Sequence, residues 1–352
     1  MSWGTIEGHD EVVELFRRAL ARGRMASSFL FVGPEGVGKR TFALRLAQAL
    51  FCEVQPETHL DPCGHCPACQ QVDALTHPDL ELVSKPAERA FIPIELFIGD
   101  REHRMREGLC HRIALKPYCG GRKIAIIDDA DYLNPEGANC LLKTLEEPPA
   151  GSLVILIGTS EQKQLPTIRS RCQKVRFGAL AESTVAELLV SQGLVPDAER
   201  AARLASLSGG SLCRALEVDD PALEEFREKL LRELGCPTCS SVELSKDVAA
   251  FVDEAGKEAP PRRERINRLL YFAAEFYRQQ MRSLSGLPIE GDAVLQQAVA
   301  ASHQAGGGDA ETAAACLEQC LEYQRHLQAN ANLATLVEAW IDEFVQLGSR
   351  EP

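Results

Sequence analysis

The chain has 352 residues, 45% hydrophobic and 25% charged, a composition typical of a soluble globular protein with enough length for two or three domains. No apolar run approaches the roughly 20 residues of a membrane-spanning helix, and the start lacks the basic and then apolar pattern of a signal peptide. We therefore expect a cytoplasmic protein without a membrane partner. The net charge is −13, and residues 179–352 hold 28 acidic against 16 basic residues. This acidity argues against tight nucleic-acid binding by the isolated chain, since such binding depends on neutralising phosphates.

The first motif is a glycine-rich loop between a predicted strand and a predicted helix. An apolar run over residues 28–32 predicts the strand, and the apolar spacing of residues 42–50 predicts the helix. In phosphate-binding loops (P-loops), backbone N–H groups surround the phosphates and a lysine reaches the terminal ones. The candidate nucleotide-binding residues are Gly33, Gly36, Gly38, Lys39 and Thr41. A glycine turn that only lets the strand pack against the helix is the alternative.

The position after the lysine departs from this pattern. It should hold a serine or threonine whose hydroxyl binds Mg²⁺, but it holds Arg40. Thr41 replaces that hydroxyl poorly, because one step along a helix turns a side chain by about 100°. The loop is therefore predicted to be suited to binding a nucleotide such as ATP but poorly suited to its Mg²⁺-assisted hydrolysis.

Four cysteines follow the predicted helix with the spacing of a metal site. They are Cys52, Cys63, Cys66 and Cys69, which supply two overlapping C-x2-C pairs and a fourth thiol. Four thiolates complete a closed, tetrahedral structural zinc site, with no position left for a catalytic water. We predict a structural Zn²⁺ ion within residues 52–69, with buried or redox-active thiols as the alternative. His65 is expected to be a bystander, and Cys236 and Cys239 lack the second pair of a zinc site.

A second motif is an apolar strand that ends in two carboxylates. Residues 123–127 predict a strand buried on both faces, and Asp128 and Asp129 follow it. Asp128 is placed to hold Mg²⁺ through water. Asp129 stands where ATP-hydrolysing proteins with this motif carry a glutamate, and its side chain is one methylene shorter, which limits its reach to an attacking water. Thr159 ends the next predicted strand and is either a γ-phosphate sensor or an ordinary strand residue.

The remaining sequence mostly predicts helices. Residues 94–113 predict one helix with a partly basic surface, which is either solvated or faces DNA. Residues 180–216 predict a small helical unit. Later helical segments, separated by breaks at residues 235–237, 260–261 and 306–308, predict an all-α C-terminal domain.

Together these motifs resemble those of bacterial DNA polymerase III clamp-loader subunits. The resemblance spans residues 28–215. Besides the P-loop and the cysteines, the segments within this span that carry it are residues 127–131, 141–149 and 170–172. It implies an α/β AAA+ P-loop domain with a parallel sheet and a zinc insert, a small helical lid domain and an all-α C-terminal collar domain. The expected bounds of these three domains are 1–178, 179–217 and 218–352.

Within this family the chain most resembles the delta-prime branch rather than the tau/gamma motors. The departures from the motor pattern are Arg40, Asp129, residues 210–214 in place of a Gly-Ser-x-Arg sensor, and no long tail after the collar. The resemblance implies that Arg171 is an arginine finger acting in trans on ATP of a neighbouring subunit, positioned by Ser170 and Cys172. A surface ion pair is the alternative role for Arg171.

The implied function is that of a delta-prime-like clamp-loader subunit in DNA replication, helping to load the sliding clamp onto primed DNA. It would be a component of the DNA-directed DNA polymerase holoenzyme whose own ATPase activity is weak or absent. The implied partners are the tau/gamma and delta subunits in a hetero-pentamer, the clamp and, through the complex, primed DNA. Two alternatives are a tau/gamma-like motor that hydrolyses its own ATP and a zinc-containing nucleic-acid-binding module.

Overall fold

The computed structural model describes residues 6–86, 88–89, 91–236, 240–305, 308–329 and 331–348. The chain divides into two compact units, Met1–Ala215 and Leu216–Pro352. The finer division into three domains stays a prediction. None of the described helices is long and apolar enough to cross a membrane.

A five-stranded parallel sheet forms the centre of the first unit. Its strands are β1 (Ser28–Val32), β2 (Leu80–Val83), β3 (Lys123–Ile127), β4 (Ser152–Gly158) and β5 (Gln173–Arg176). They pair in the order β2-β3-β4-β1-β5, all parallel. Every residue of β1, β3 and β4 is buried, as expected of parallel strands covered on both faces. The predicted α/β class is confirmed.

Helices precede, connect and follow these strands. Among the described residues they are α1 (Asp10–Ala21), α2 (Lys39–Phe51), α3 (Pro67–Asp73), α4 (Glu95–Ile98), α5 (Leu109–Ala114), α6 (Pro135–Glu146), α7 (Pro166–Arg169), α8 (Glu182–Ser191), α9 (Ala198–Leu207) and α10 (Leu212–Glu217).

Successive side chains of β1 pack on opposite faces of the sheet. Leu30 and Val32 belong to one apolar cluster of the sheet. Phe29 and Phe31 enter an aromatic cluster on the other face, as the alternation of side chains along a strand requires. Ring centroids in this cluster lie 4.9–6.3 Å apart, and its other members are Phe16, Phe42 and Phe177. Because Phe16 lies on α1 and Phe42 on α2, the aromatic cluster fixes the helices on both sides of β1.

The single helix predicted over residues 94–113 is wrong. The segment forms the two short helices α4 and α5, with a turn-containing loop between them. Gly99 and Gly108 have φ of +80° and +83°, outside the helical region. A Cβ atom at Gly108 would lie 2.6 Å from the backbone of Phe97, so the chain doubles back too closely for any side chain there.

The regular secondary structure in the described part of the second unit is entirely helical. Its helices are α11 (Pro221–Leu234), α12 (Ser241–Asp253), α13 (Ala259–Leu284), α14 (Ala293–Gln304), α15 (Ala310–Gln328) and α16 (Leu333–Gly348). The all-α prediction is confirmed, and α13 packs against α11, α12, α14 and α15. The break predicted at residues 260–261 is wrong, because these prolines lie in the first turn of α13, where no backbone N–H is needed.

A buried ion pair joins α11 to the start of α14. The Arg227 guanidinium, with only 6% of its side chain exposed, donates to both carboxylate oxygens of Asp292 at 3.0 and 2.6 Å. Asp292 also caps α14 by accepting from the Leu295 N–H. Removing this carboxylate would leave a buried charge without its partner.

We expect Asp292→Ala to lower the free energy of unfolding of the C-terminal unit by about 3–5 kcal/mol, the cost of breaking a buried ion pair from one side. Hydrogen–deuterium exchange of α11 and α14 in the intact chain measures the change. The matched control is Asp309→Ala, which removes only the exposed cap of α15 and should cost about 1 kcal/mol. Equal losses in the two variants would contradict the role given to Arg227.

Candidate functional site

The predicted nucleotide-site residues meet at one edge of the sheet. Gly33, Asp128 and Thr159 directly follow β1, β3 and β4, so they share the carboxyl edge of the parallel sheet. Open α/β sheets bind ligands in the crevice at this edge. Lys39 begins α2 immediately after the loop. The fold therefore brings the two sequence motifs together, although they are about 90 residues apart along the chain.

Lys39 turns back onto its own loop. Its side chain is buried, and its ammonium donates to the carbonyl oxygens of Gly33 at 2.8 Å and Pro34 at 2.5 Å. Gly38, which precedes the helix, has φ of +92°, a conformation that glycine adopts without strain. Burial lowers the pKa of the Lys39 ammonium, and nearby carboxylates led by Glu35 oppose this shift.

Two groups from outside the P-loop contact backbone carbonyls in the middle of the loop. The ring of buried His9 has Nε2 2.7 Å from the carbonyl oxygen of Val37, at hydrogen-bond distance. The N–H of Leu212, at the start of α10, donates to the Gly36 carbonyl at 3.0 Å. A Cβ atom on Gly36 would lie 2.3 Å from Ser211 Oγ, so glycine is needed for this approach. The sequence carried no signal for the role of His9.

Arg40 pairs with the carboxylate that the sequence predicted to hold a metal ion. Its guanidinium lies 3.5 Å from a carboxylate oxygen of Asp128, the residue predicted to hold Mg²⁺. Burial and the negative charge of Asp129 raise the pKa of the Asp128 carboxyl, while Arg40 and Lys39 counteract them. Since the position also lacks a hydroxyl, the residues present do not fit a Mg²⁺ ion. The sequence indicated the missing hydroxyl but not the ion pair.

The predicted catalytic residues Asp129 and Thr159 also form hydrogen bonds with other residues of the chain. Asp129 has φ of +56°, and its carboxylate accepts from the Lys85 N–H at 3.4 Å. Thr159 donates its N–H, at 2.9 Å, and its hydroxyl to Asp131. Asp131, to which the sequence gave no role, also accepts from Gln164 Nε2 at 2.7 Å.

The catalytic parts given to Asp128, Asp129 and Thr159 stay predictions. So does a nucleotide-binding role for Thr41, which is exposed on α2.

The four predicted metal ligands form a compact cluster of sulfur atoms. The Sγ atoms of Cys52, Cys63, Cys66 and Cys69 all lie within 4.8 Å of one another. The Cys63 and Cys69 sulfurs are 3.9 Å apart. Two thiolates bound at about 2.3 Å to one tetrahedral ion would be separated by about 3.8 Å, so the cluster can hold a metal ion.

Backbone N–H groups point at these sulfurs. Cys52 Sγ accepts from Gln55 at 3.3 Å and from Cys63 at 3.5 Å. Although burial opposes ionisation, these and neighbouring N–H groups lower the pKa of the Cys52 thiol to about 6. Such donors stabilise the thiolate form that binds metals. His65 is exposed and lies outside the cluster, and Cys239 of the lone C-x2-C pair is outside the described residues.

Arg171 lies at the opposite edge of the sheet. It precedes β5, and because β5 runs parallel to β1, the amino end of β5 points away from the P-loop. Gln173 pairs with Phe29, four residues before Gly33, which corresponds to about 13 Å of strand. The Arg171 side chain forms an ion pair with Glu146 and donates to the Thr167 carbonyl at 2.9 Å.

A family model described as "DNA polymerase III, delta subunit" matches residues 8–181, which include the sheet, the P-loop, the cysteine cluster and Arg171. The chain is also similar to curated delta' and tau/gamma subunits of DNA polymerase III.

DNA polymerase III subunit delta' of Pseudomonas aeruginosa is 35% identical over 212 residues, 60% of this chain and 61% of that protein. The Bacillus subtilis delta' subunit is 30% identical over 234 residues, 66% of each protein. The tau/gamma subunit of Haemophilus influenzae is 30% identical over 63% of this chain and 31% of that protein. The chain thus spans slightly less than two thirds of the delta' relatives it matches.

The Arg40–Asp128 pair generates a prediction about metal dependence. In this chain, we expect ATP to bind equally well with Mg²⁺ and with EDTA, because Arg40 already pairs with the Asp128 carboxylate. Arg40→Ser restores a hydroxyl and frees the carboxylate, so Mg²⁺ should strengthen ATP binding about tenfold in that variant, equivalent to roughly 1.4 kcal/mol. Titration calorimetry with and without EDTA measures both affinities.

The control for this prediction is Arg45→Ser, which removes another arginine of α2 and should not create Mg²⁺ dependence. A native chain whose ATP turnover is strong, requires Mg²⁺ and disappears in Lys39→Ala would contradict the prediction.

Proposed function

We propose that this chain is a delta-prime-type subunit of a DNA polymerase III clamp loader, acting in the cytoplasm during DNA replication. In this proposal it assembles with tau/gamma and delta subunits into a hetero-pentamer that loads the sliding clamp onto primed DNA. It would be part of the DNA-directed DNA polymerase holoenzyme, with little ATPase activity of its own. Its contribution to catalysis would be Arg171, supplied to a neighbouring ATPase subunit.

The observation that carries the proposal is the placement of Arg171 at the sheet edge opposite its own P-loop. The strand pairing separates the amino end of β5 from Gly33 by about 13 Å of strand, and Arg171 precedes that end of β5. An arginine there cannot serve a nucleotide held by Lys39 of the same chain. It is available to a nucleotide held by a neighbour.

In such a neighbour, the guanidinium would approach the transferred phosphoryl group. Negative charge spreads over the equatorial oxygens of that group in the transition state, and a planar guanidinium can donate to two of them at once. Arg171 is held by hydrogen bonds before assembly, so the donor is partly organised in advance. The step itself would be carried out by the neighbour's bound ATP and water.

We expect Arg171→Ala to lower ATP turnover of the assembled complex, with clamp and primed DNA present, by at least about tenfold. Arginine fingers supplied in trans contribute about 10³–10⁵ where they have been measured, and several ATP sites share the turnover here. Arg171→Lys keeps the charge but not the planar fork, so it should remain defective. Steady-state ATPase assays on assemblies of equal composition measure the change.

Arg176→Ala is the matched control, since it removes a highly exposed arginine of the neighbouring strand. Its turnover should equal that of the native assembly. Native turnover in Arg171→Ala, with the assembly intact, would overturn the proposed trans role.

A tau/gamma-like motor is the second candidate function, because a tau/gamma subunit is among the relatives. The Arg40–Asp128 ion pair argues against it, since a motor needs that carboxylate for its metal ion. Strong ATP turnover by the isolated chain would favour this candidate.

A nucleic-acid-binding zinc module is the candidate from another class. The net charge of −13 argues against it, because binding of this kind requires basic surface. Tight, salt-sensitive DNA binding by the isolated chain would support it.

We further propose that the cysteine cluster holds a structural Zn²⁺ ion. Four thiolates fill a tetrahedral shell, so the ion would supply folding free energy rather than a reactive water. Its place in the fold supports this role. Buried Gln48 of α2 donates to the Cys69 carbonyl at 3.0 Å, so the cluster is tied to the helix that begins at the P-loop.

We expect Cys66→Ser to release the metal and to lower the melting temperature, because a closed site that loses one thiolate binds zinc weakly. Elemental analysis of the purified chain and thermal unfolding measure the two effects. Cys119→Ser, which changes an exposed cysteine outside the cluster, should leave both unchanged. A Cys66→Ser chain with native metal content and stability would refute the zinc assignment.

A further inference from the structure

The guanidinium of Arg171 is anchored by groups of two different helices. Nη1 donates to the Thr167 carbonyl at 2.9 Å and lies 3.2 Å from Ser170 Oγ, both belonging to α7 or the turn that ends it. Nη2 donates to a carboxylate oxygen of Glu146, the last residue of α6. Within the described part of the chain, Glu146 is the anchor with a full opposite charge.

Both members of this ion pair sit next to buried residues of one core. Leu145 precedes Glu146 and is 5% exposed, and Cys172 follows Arg171 and is 7% exposed. Both belong to the same apolar cluster, together with Ile168 of α7. The ends of α6 and α7 are thus fixed relative to each other. The packed backbones on either side therefore bring the partly exposed carboxylate and guanidinium close together.

The pose leaves the buried Nε donor of the arginine unused. Arg171 Nε is buried and has no hydrogen-bond partner among the described residues. A buried donor without a partner is costly, so the pose does not maximise the arginine's own hydrogen bonding. The anchors, and Glu146 above all because it is charged, therefore hold the guanidinium in this orientation.

We propose that Glu146 is a positioning residue for the arginine finger, which it holds in place before the neighbouring ATP site arrives. An arginine side chain loses considerable rotamer freedom when it is fixed, and a finger that is already fixed loses less on assembly. This inference rests on the proposed trans role of Arg171. Glu146 itself would touch neither the nucleotide nor the reacting atoms.

The Glu146–Arg171 contact could instead inhibit the finger, and the direction of the change in ATP turnover distinguishes this role from positioning. If the carboxylate mainly competed with the phosphate for the guanidinium, removing it would release the finger and raise turnover. If it positions the finger, removing it lowers turnover. The two roles therefore predict changes of opposite direction in one assay.

The test uses Glu146→Ala in the complete complex with clamp and primed DNA. We expect kcat for ATP to fall about two- to fivefold, the range of a partly exposed ion pair, with KM for ATP unchanged because ATP is held by the neighbour. Glu146→Gln keeps an oxygen that accepts a hydrogen bond and should recover part of the loss. The control is Glu147→Ala, which removes an adjacent exposed carboxylate with no ion pair in the described structure.

A double variant separates positioning from a general structural effect. In an Arg171→Ala background, Glu146→Ala should cause no further loss, because the residue it positions is gone. A loss that persists in this background would overturn the inference, as would native or faster turnover in Glu146→Ala alone. If Arg171→Ala itself has native turnover, the proposed function is overturned and this inference falls with it. A slow Arg171→Ala with a native Glu146→Ala overturns the inference alone.

Discussion

Parallel pairing of β1 with both β4 and β5 is the constraint on which the rest of the first unit depends. It sends the carboxyl ends of all strands to one edge, where the P-loop, Asp128 and Thr159 meet. The same pairing sends the amino end of β5 to the opposite edge, together with Arg171. One hydrogen-bonding pattern thus creates a nucleotide-type crevice and separates it from the arginine proposed to serve a neighbour's crevice.

Within that crevice, the side chains predicted to contact a metal ion or a phosphate contact other groups of the same chain. Arg40 faces Asp128, the Lys39 ammonium is bound by two loop carbonyls, and the Thr159 hydroxyl donates to Asp131. Each contact satisfies a polar group in a partly buried place, where an unmet donor or charge would be costly. Contacts from His9 and Leu212 add to this by fixing the loop backbone. The crevice is thus ordered by contacts within the chain.

Local patterns of the sequence predicted some features well and others poorly. The apolar runs of β1, β3 and β4 and the spacing of the four cysteines predicted strands and a sulfur cluster, because both depend on residues close along the chain. The break expected at residues 260–261 failed because proline both interrupts helices and begins them. The helix expected from the apolar spacing of residues 94–113 failed because Gly99 and Gly108 adopt positive φ angles that end one short helix and begin the next.

By itself, the sequence determined the fold class, the P-loop with its missing hydroxyl, the four-thiol cluster and the similarity to the family whose model matches residues 8–181. All of these follow from residue type and short-range spacing. Only the tertiary structure decided that Arg40 pairs with Asp128, that Asp131 engages Thr159 and that Glu146 holds Arg171. The partners in these pairs lie 25 to 88 residues apart in the chain, and their meeting depends on strand order and helix packing. Spacing along the sequence carries no information about such contacts, because the chain between them can fold in many ways.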